Sequence, residues 1–163
     1  MKSKQPIDKK TILLLALNIF WMIVIFTFSS QPAQESSQVS GFFRDFLDKA
    51  VGILFKGNLP GIFTENQPMI EHLVRKAGHV TEYMILGILT CASLRRLTLK
   101  KAALIALAIC VLYASSDEFH QIFVSGRGPA VTDVLLDSAA SAIGICIIRF
   151  RLFFRAGQKR LQS

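Results

Sequence analysis

Side chains capable of acid–base or ion-binding chemistry occur in three groups along this sequence, each inside or beside an apolar stretch. Histidine exchanges protons near neutral pH, carboxylates can orient an imidazole or hold a divalent ion, and Lys and Arg bind phosphate. Such residues predict an acid–base site or a site for a charged ligand. The groups are Lys76, His79, Glu82 and Tyr83; then Asp117, Glu118, His120 and Gln121; then Arg127, Asp133 and Asp137.

The spacing within each group is that of a helix. Residues three and four apart are neighbours on a helix surface. In the first group Glu82 lies beside the shared face, and in the second Glu118 is displaced towards an adjacent face. The positions that share a face are 76, 79 and 83, then 117, 120 and 121, then 133, 137 and 141.

The composition indicates an integral membrane protein. Of the 163 residues, 52% are hydrophobic and 18% are charged, and the mean hydropathy is +0.44. In soluble domains about a quarter of the residues are charged. Four apolar stretches approach the roughly 20 residues that a helix needs to cross the hydrocarbon. We therefore predict an all-α fold, one domain over 1–163, with transmembrane helices at about 11–28, 76–94, 102–121 and 131–148.

Basic residues predict the orientation, because Lys and Arg concentrate on the cytoplasmic side of membrane proteins. They occur in the N-terminal tail, the turn at 95–101 and the C-terminal tail, whereas the segment between the third and fourth stretches has only Arg127. Both termini are therefore predicted to be cytoplasmic. In the alternative, the second stretch is merely interfacial, and the termini of a three-span chain lie on opposite sides. The net charge of +8 fits anionic lipid, and the sequence lacks the aromatic-interleaved basic face that would indicate nucleic acid.

The long segment between the first two stretches contains a predicted amphipathic helix at about 40–56. Its apolar residues recur at helical spacing with charged residues between them, which is typical of a helix lying on a membrane surface. Under the predicted topology this is the outer, extracytoplasmic surface. Gly57, Pro60 and Gly61 end the helix, and a second short helix at about 68–75 leads into the second span.

The three polar groups are predicted to lie at similar depth. At a rise of about 1.5 Å per residue, Glu82 lies about 9 Å below Lys76. The same rise puts Asp117 about 24 Å above the basic turn and Asp137 about 15 Å below Arg127. All three groups therefore fall in the outer half of the bilayer. Burying an ionisable group there costs about 2.5–3.5 kcal/mol, so these residues either pair as structural ion pairs or form a site open to the outer side.

Two motifs in these groups resemble the VanZ-like family. They are Arg75-Lys76-Ala77-Gly78-His79-Val80-Thr81-Glu82-Tyr83 with Leu86-Gly87, and Asp117-Glu118-Phe119-His120-Gln121 with Phe123, Gly126-Arg127, Asp133 and Asp137. A weaker third element is Ser29-Ser30-Gln31. The resemblance implies a multi-helix protein of the bacterial cell membrane, in a family associated with low-level resistance to the glycopeptide teicoplanin. It suggests action at the outer face, on lipid-linked cell-wall precursors or the surrounding lipid.

Three functions remain open at this point. In the first, the protein is an enzyme or lipid-modifying protein acting on an anionic or lipid-linked substrate, with His79, Glu82, Asp117, Glu118 and His120 as candidate catalytic residues. In the second, it is a non-catalytic binder that recognises or shields lipid head groups or amphiphilic antibiotics. The third is transport, which needs an oligomer because four short helices leave little room for alternating access. The candidate ligand-binding residues are Lys76, Tyr83, Gln121, Arg127, Asp133 and Asp137.

The expected partners are membrane lipids or lipid-linked precursors, and a homo-oligomer is compatible with the sequence. No cofactor is certain, although His79 and Glu82 at a spacing of three would allow a divalent metal ion. The cysteines lie within apolar stretches without CxxC spacing, which favours packing roles over a zinc site or a disulfide. Ser141 and Gly144 are small residues expected to permit close helix approach.

Overall fold

Four long helices account for nearly all of the residues that the structure describes. A computed structural model of the chain gives residues 8–32, 41–42, 49 and 67–161, and no strand occurs in these ranges. The helices are α1 (Lys9–Ser29), α2 (Gln67–Ser93), α3 (Leu99–Gln121) and α4 (Val131–Leu161). The predicted all-α fold is thus confirmed for this part of the chain.

Three of these helices are long and apolar enough to cross a membrane: α1, α3, and α4 from Val131 to Leu152. α2 is also long enough to cross a membrane, since it has 27 residues. Its first half is interrupted by polar side chains such as Lys76, His79 and Glu82, which lower its hydropathy.

The predicted boundary between a short helix at 68–75 and the second span is wrong, and the predicted helix at about 40–56 falls mostly outside the described residues. α2 runs without a break through the predicted short helix at 68–75 and the predicted second span. No residue between them stops a helix, and Pro68 lies in the first turn, where proline is tolerated. The predicted amphipathic helix at about 40–56 lies outside the described residues except at positions 41, 42 and 49.

The buried stripe of α3 changes from apolar to polar along its length. Small side chains at helical spacing pack into the bundle, and two polar residues continue the same face: Ala103, Ala106, Cys110, Ala114, Asp117 and Gln121. Small residues let helix backbones approach closely, which is the usual basis of packing between membrane helices. Asp117 and Gln121 are therefore buried because they extend the face that the alanines bury.

α1 and α2 lie antiparallel along the bundle. Near the start of α1, Asp8 Oδ2 lies 3.6 Å from Arg95 Nη1, just beyond the end of α2. Further along, the Thr90 hydroxyl donates a hydrogen bond of 3.0 Å to the side-chain oxygen of Asn18, and both residues are buried. The start of α1 and the basic α2–α3 turn therefore occupy the same end of the bundle.

α2 and α4 run parallel and cross at backbone contact. A Cβ on Gly87 would collide with the Ser141 carbonyl oxygen, and one on Gly144 would collide with the Met84 carbonyl oxygen. The Ser141 hydroxyl donates to the Tyr83 carbonyl oxygen at 3.1 Å. The close approach expected at Ser141 and Gly144 is confirmed, and its counterpart on α2 is Gly87.

Alanine at either crossing glycine should destabilise the bundle. Gly87→Ala and Gly144→Ala each force a methyl group onto a backbone carbonyl that can retreat only if α2 separates from α4. Overpacking of this kind costs about 1–3 kcal/mol. Thermal unfolding of the detergent-purified variants, followed by circular dichroism, should show lower transition temperatures than the wild-type protein.

Gly78→Ala is the matched control, because Gly78 lies on the same helix and an added Cβ there meets nothing within 4 Å. Alanine should leave the transition unchanged or raise it, since alanine is the better helix former. Equal transition temperatures for Gly78→Ala and Gly144→Ala would mean that α2 and α4 do not cross this closely.

Candidate functional site

All predicted site residues lie towards one end of the bundle, where α1 and α3 end and α4 begins. The first half of α2 contributes the first group, the last turn of α3 the second, and the 122–130 loop with the start of α4 the third. Gly126 has a φ of 75°, a left-handed conformation that glycine adopts without strain. This turn delivers Arg127 back towards the helices.

Two ionisable pairs join α2 to α4. Lys76 Nζ lies 2.7 Å from Asp133 Oδ1, with both side chains about one-third exposed. One turn deeper, His79 Nδ1 lies 3.7 Å from Asp137 Oδ2, which is too long for a hydrogen bond. Asp137 is buried. The helices are parallel, so a step of three or four residues advances both by about one turn and the pairs repeat.

Asp117 and Tyr83 are buried polar residues that lack hydrogen-bond partners. Asp117 is 3% exposed, and neither of its carboxyl oxygens has a partner among the described residues. Tyr83 is fully buried and interacts electrostatically with Asp117, and its hydroxyl has no hydrogen-bond partner among the described residues. Each unsatisfied buried group costs about 1–3 kcal/mol, and folded proteins contain few of them. The pair therefore offers unused hydrogen-bonding capacity inside the bundle.

Arg127 adds a half-buried cation to this end of the bundle. Its Nη2 lies 3.5 Å from the Phe28 carbonyl oxygen at the end of α1, and its Nε has no partner within the described ranges. The guanidinium lies within electrostatic range of Glu82, Asp117 and Glu118. Burial lowers the pKa of the Arg127 guanidinium, yet arginine starts so high that it remains charged at neutral pH.

Glu118 ties the end of α3 to the beginning of α4. Its Oε1 accepts a hydrogen bond of 2.6 Å from the Ala130 backbone N–H. Ala130 directly precedes α4, where amides lack intrahelical partners and negative charge is favoured. The contact anchors the loop that carries Arg127. Sequence reasoning proposed a catalytic role for Glu118, whereas the structure gives it this positioning contact.

His120 and Gln121 face α1 rather than the ionisable pairs. His120 Nε2 lies 3.2 Å from the Ser30 hydroxyl, and the ring packs against Phe26 with 4.7 Å between ring centroids. The Gln121 side-chain amide donates to the Ser29 hydroxyl at 3.3 Å. Among the described residues, no carboxylate lies within ion-pair distance of His120.

The structure therefore divides the predicted site residues into two sets. We use the term polar cluster for the set formed by α2, α4, the loop and the inner face of α3: Lys76, His79, Glu82, Tyr83, Asp117, Arg127, Asp133 and Asp137. His120 and Gln121 form the second set against α1, and Glu118 anchors the loop between them. Of the two histidines among the predicted site residues, His79 alone has a carboxylate within ion-pair distance in the described ranges.

Sequence reasoning misses the side chains that fasten α1 beside the polar cluster. The Trp21 indole donates to the Glu82 carbonyl oxygen at 2.9 Å, and the Tyr113 hydroxyl donates to the Met22 carbonyl oxygen at 2.6 Å. A signal existed, because an indole N–H or a phenol inside an apolar stretch needs a partner when it is buried. The identity of the partner could not be predicted, because every residue has a backbone carbonyl and the sequence does not show which one accepts the bond.

The described residues include no group of three or more His, Cys, Asp or Glu side chains arranged to hold a metal ion. Calcium takes six to eight oxygen ligands, and magnesium combines one or two carboxylates with several waters. This part of the chain therefore offers no preformed protein cage for the divalent ion that the sequence allowed.

A family model described as VanZ/LLP1 matches residues 14–154, which is most of the chain and includes every residue of the polar cluster. The match also covers the Ser-Ser-Gln element at the end of α1. No curated protein and no solved structure matches significantly.

Proposed function

This chain belongs to the VanZ/LLP1 family, and on that premise we propose that it is a multi-pass protein of the bacterial cell membrane whose polar cluster binds the head group of an anionic or lipid-linked amphiphile. The link to glycopeptide resistance belongs to the same proposal. One observation carries it: within the described residues, buried side-chain atoms without hydrogen-bond partners gather at one end of the bundle. They are His79 Nδ1, Tyr83 Oη, Asp117 Oδ1 and Oδ2, Arg127 Nε and Asp137 Oδ1.

The cations at this end favour a phosphate-bearing ligand. Arg127 lies within electrostatic range of Arg75, and the two positive charges disfavour one another. An anion placed between them would relieve that repulsion. Arginine presents several N–H donors in a planar fork that matches phosphate oxygens, and the unpartnered Nε of Arg127 is one such donor.

Apolar side chains at the end of α3 offer an amphiphile contacts that a soluble anion cannot make. Phe119, Ile122 and Phe123 lie at the end of α3, and each exposes more than half of its surface. The Phe119 and Phe123 rings pack in a T-shaped arrangement with 5.7 Å between their centroids. Acyl or polyprenyl chains can cover these side chains while the head group reaches the buried polar atoms.

The proposal includes α2 as a fourth transmembrane helix, with both termini cytoplasmic. At about 1.5 Å per residue its length is roughly 40 Å, more than the roughly 30 Å of hydrocarbon. It lies beside α1, and Lys76 and His79 meet carboxylates of α4. Ionisable residues within membrane helices typically face the bundle interior in this way. The basic α2–α3 turn shares its end of the bundle with the start of α1, as the positive-inside rule requires.

Single-cysteine labelling distinguishes four spans from three. With the three native cysteines replaced by alanine, a cysteine is introduced at Ser3, Thr98 or Ser125. In intact cells a membrane-impermeant maleimide should label only Ser125→Cys, because the other two positions face the cytoplasm. Permeabilised cells, in which all three should react, provide the control. Opposite accessibility of positions 3 and 98 would make α2 an interfacial helix.

Native mass spectrometry of the purified protein should detect a retained phospholipid or polyprenyl phosphate. Arg127→Gln should reduce retention about tenfold, because a hydrogen bond to a charged group contributes about 1.5–3 kcal/mol. Arg151→Gln is the matched control, since Arg151 is an exposed arginine in the last third of α4. Retention by Arg127→Gln at the wild-type level would contradict binding at the polar cluster.

A second candidate function adds acid–base chemistry on the bound head group. The observation that favours it is the position of His79 beside the buried Asp137. If ligand binding shortens this pair to hydrogen-bond distance, the carboxylate orients the ring and stabilises its protonated form, and the other ring nitrogen can exchange a proton with the ligand. His120, which contacts a serine and a phenylalanine, lacks that arrangement.

Paired histidine variants separate catalysis from binding. If the cluster is catalytic, expression of the wild-type protein should create or deplete a lipid species in whole-cell extracts, and His79→Gln should abolish that change while retaining bound lipid. His120→Gln is the matched substitution and should keep most of the activity. Identical lipid profiles with and without the wild-type protein would exclude catalysis and leave binding as the function.

A further inference from the structure

The charge balance of the polar cluster points to the chemistry of the head group, and this inference rests on the function proposed above. Counting the described residues of the cluster together with Glu118 and Arg75, carboxyl groups outnumber permanent cations. The carboxyl groups are Glu82, Asp117, Glu118, Asp133 and Asp137, and the cations are Arg75, Lys76 and Arg127. The excess is acidic, which is unexpected for a site that binds only an anion.

Two of the carboxyl groups are already engaged. Asp133 pairs with Lys76 at 2.7 Å, and Glu118 accepts the Ala130 N–H at 2.6 Å. Both contacts lie where the cluster meets the start of α4. The first contact engages Lys76, the only lysine of the polar cluster. The other basic groups that remain are Arg127, Arg75 and His79.

Asp117 and Asp137 are the deep carboxyl groups. They are 3% and 2% exposed, and within the described residues both oxygens of Asp117 and the Oδ1 of Asp137 lack a hydrogen-bond partner. Each lies within electrostatic range of the other. Removing charges from water without pairing them is strongly unfavourable. A cation placed beside both groups would stabilise their charged forms, and the one ion-pair partner that the described residues give Asp137 is His79, at 3.7 Å.

Tyr83 provides an independent indication of a ligand at the same place. It is fully buried, its hydroxyl has no partner in the described ranges, and it lies within electrostatic range of both Asp117 and Asp137. A tyrosine that merely packed would direct its hydroxyl to an acceptor within reach, as Tyr113 does with the Met22 carbonyl oxygen. The Tyr83 hydroxyl and the Asp117 carboxyl group instead lie close to one another, and neither has a hydrogen-bond partner within the described residues.

A primary ammonium suits these acceptors better than a metal ion does. The described residues contain no group of three or more ligating side chains with metal-binding geometry. An ammonium carries three N–H donors and needs only acceptors around it. Two oxygens of Asp117, the Oδ1 of Asp137 and the Tyr83 hydroxyl oxygen are acceptors without donors.

We propose that the polar cluster selects a head group in which a primary ammonium lies next to a phosphate. Asp117, Asp137 and the Tyr83 hydroxyl hold the ammonium, while Arg127 and Arg75 hold the phosphate. Ethanolamine phospholipids and free phosphoethanolamine share this chemistry. Because the apolar end of α3 adjoins the cluster, the lipid form is the expected ligand.

A lipid competition followed by native mass spectrometry tests the selectivity. The full-length protein is equilibrated with equal amounts of phosphatidylethanolamine, phosphatidylcholine and phosphatidylglycerol that carry identical acyl chains. The amount of bound phosphatidylethanolamine should exceed that of each competitor about tenfold. The glycerol head group has no positive charge, and the choline head group has no N–H donor. No preference for phosphatidylethanolamine in the wild-type protein would overturn the proposal.

Free phosphoethanolamine is the second arm of the competition and identifies the source of the head group. At equimolar concentration it should leave the bound lipid in place, because it cannot cover Phe119 and Phe123. Displacement of the lipid by free phosphoethanolamine would support the selectivity for an ammonium beside a phosphate and assign the site to a soluble ligand.

Substitution of Asp117 tests whether its carboxyl group determines the preference for phosphatidylethanolamine. Asp117→Asn should bring the ratio of bound phosphatidylethanolamine to bound phosphatidylglycerol close to one. Asp8→Asn is the matched control, because Asp8 is exposed at the opposite end of the bundle, and it should keep the wild-type ratio. An unchanged ratio in Asp117→Asn would contradict the proposal.

Tyr83→Phe provides a second test in case the Asp117→Asn variant does not fold. It removes one oxygen without changing the size of the ring, and it should lower the ratio. If Asp117→Asn cannot be purified as a folded protein, an unchanged ratio in Tyr83→Phe overturns the proposal. Lipid retention that depends on Arg127 but shows no head-group preference would sink this inference alone. Absence of any bound lipid would instead refute the proposed function.

Discussion

The close approach of α2 and α4 is the constraint on which the rest of the structure depends. Lipid offers no hydrophobic driving force between helices, so packing and hydrogen bonds must hold them together. At Gly87 and Gly144 each backbone touches the other, and there is no room for a Cβ. This contact sets both the separation and the register of two parallel helices. The same register places His79 beside Asp137 and, one turn nearer the end of the bundle, Lys76 beside Asp133.

The pattern of satisfied and unsatisfied groups distinguishes a site from a device that holds helices together. If stability were the only role of the ionisable residues, the deepest ones would be the best paired, because burial makes an unpaired charge most costly. The described residues show the reverse. Lys76 and Asp133, about one-third exposed, make a close pair, whereas the buried Asp117 and Tyr83 make no hydrogen bonds through their side chains. Departures of this kind from local consistency are expected at functional sites.

Sequence reasoning went as far as the faces of single helices. Apolar stretches and basic turns identified the helices, and spacing grouped the polar residues correctly at one end. It could not say which neighbour each face would meet, because that depends on how a helix is rotated within the bundle. His120 was therefore grouped with Asp117, although it contacts Ser30 on α1. The contact of Glu118 with the backbone amide of Ala130 could not be predicted, because a backbone amide has no sequence signal. The short helix predicted at 68–75 and the predicted second span form one helix, because no residue between them interrupts it.

The last turn of α3 shows why so short a motif can serve the whole site. Successive residues of a helix project about 100° apart, so Asp117 to His120 face four different surroundings. Asp117 lies in the bundle interior, Glu118 reaches the first amide before α4, Phe119 is exposed on the apolar flank, and His120 meets α1. One helical turn thereby contributes a buried carboxyl group, a loop anchor, an exposed aromatic ring and a contact to the first helix. An insertion or deletion just before this turn would rotate all four together, so their surroundings depend on one helical register.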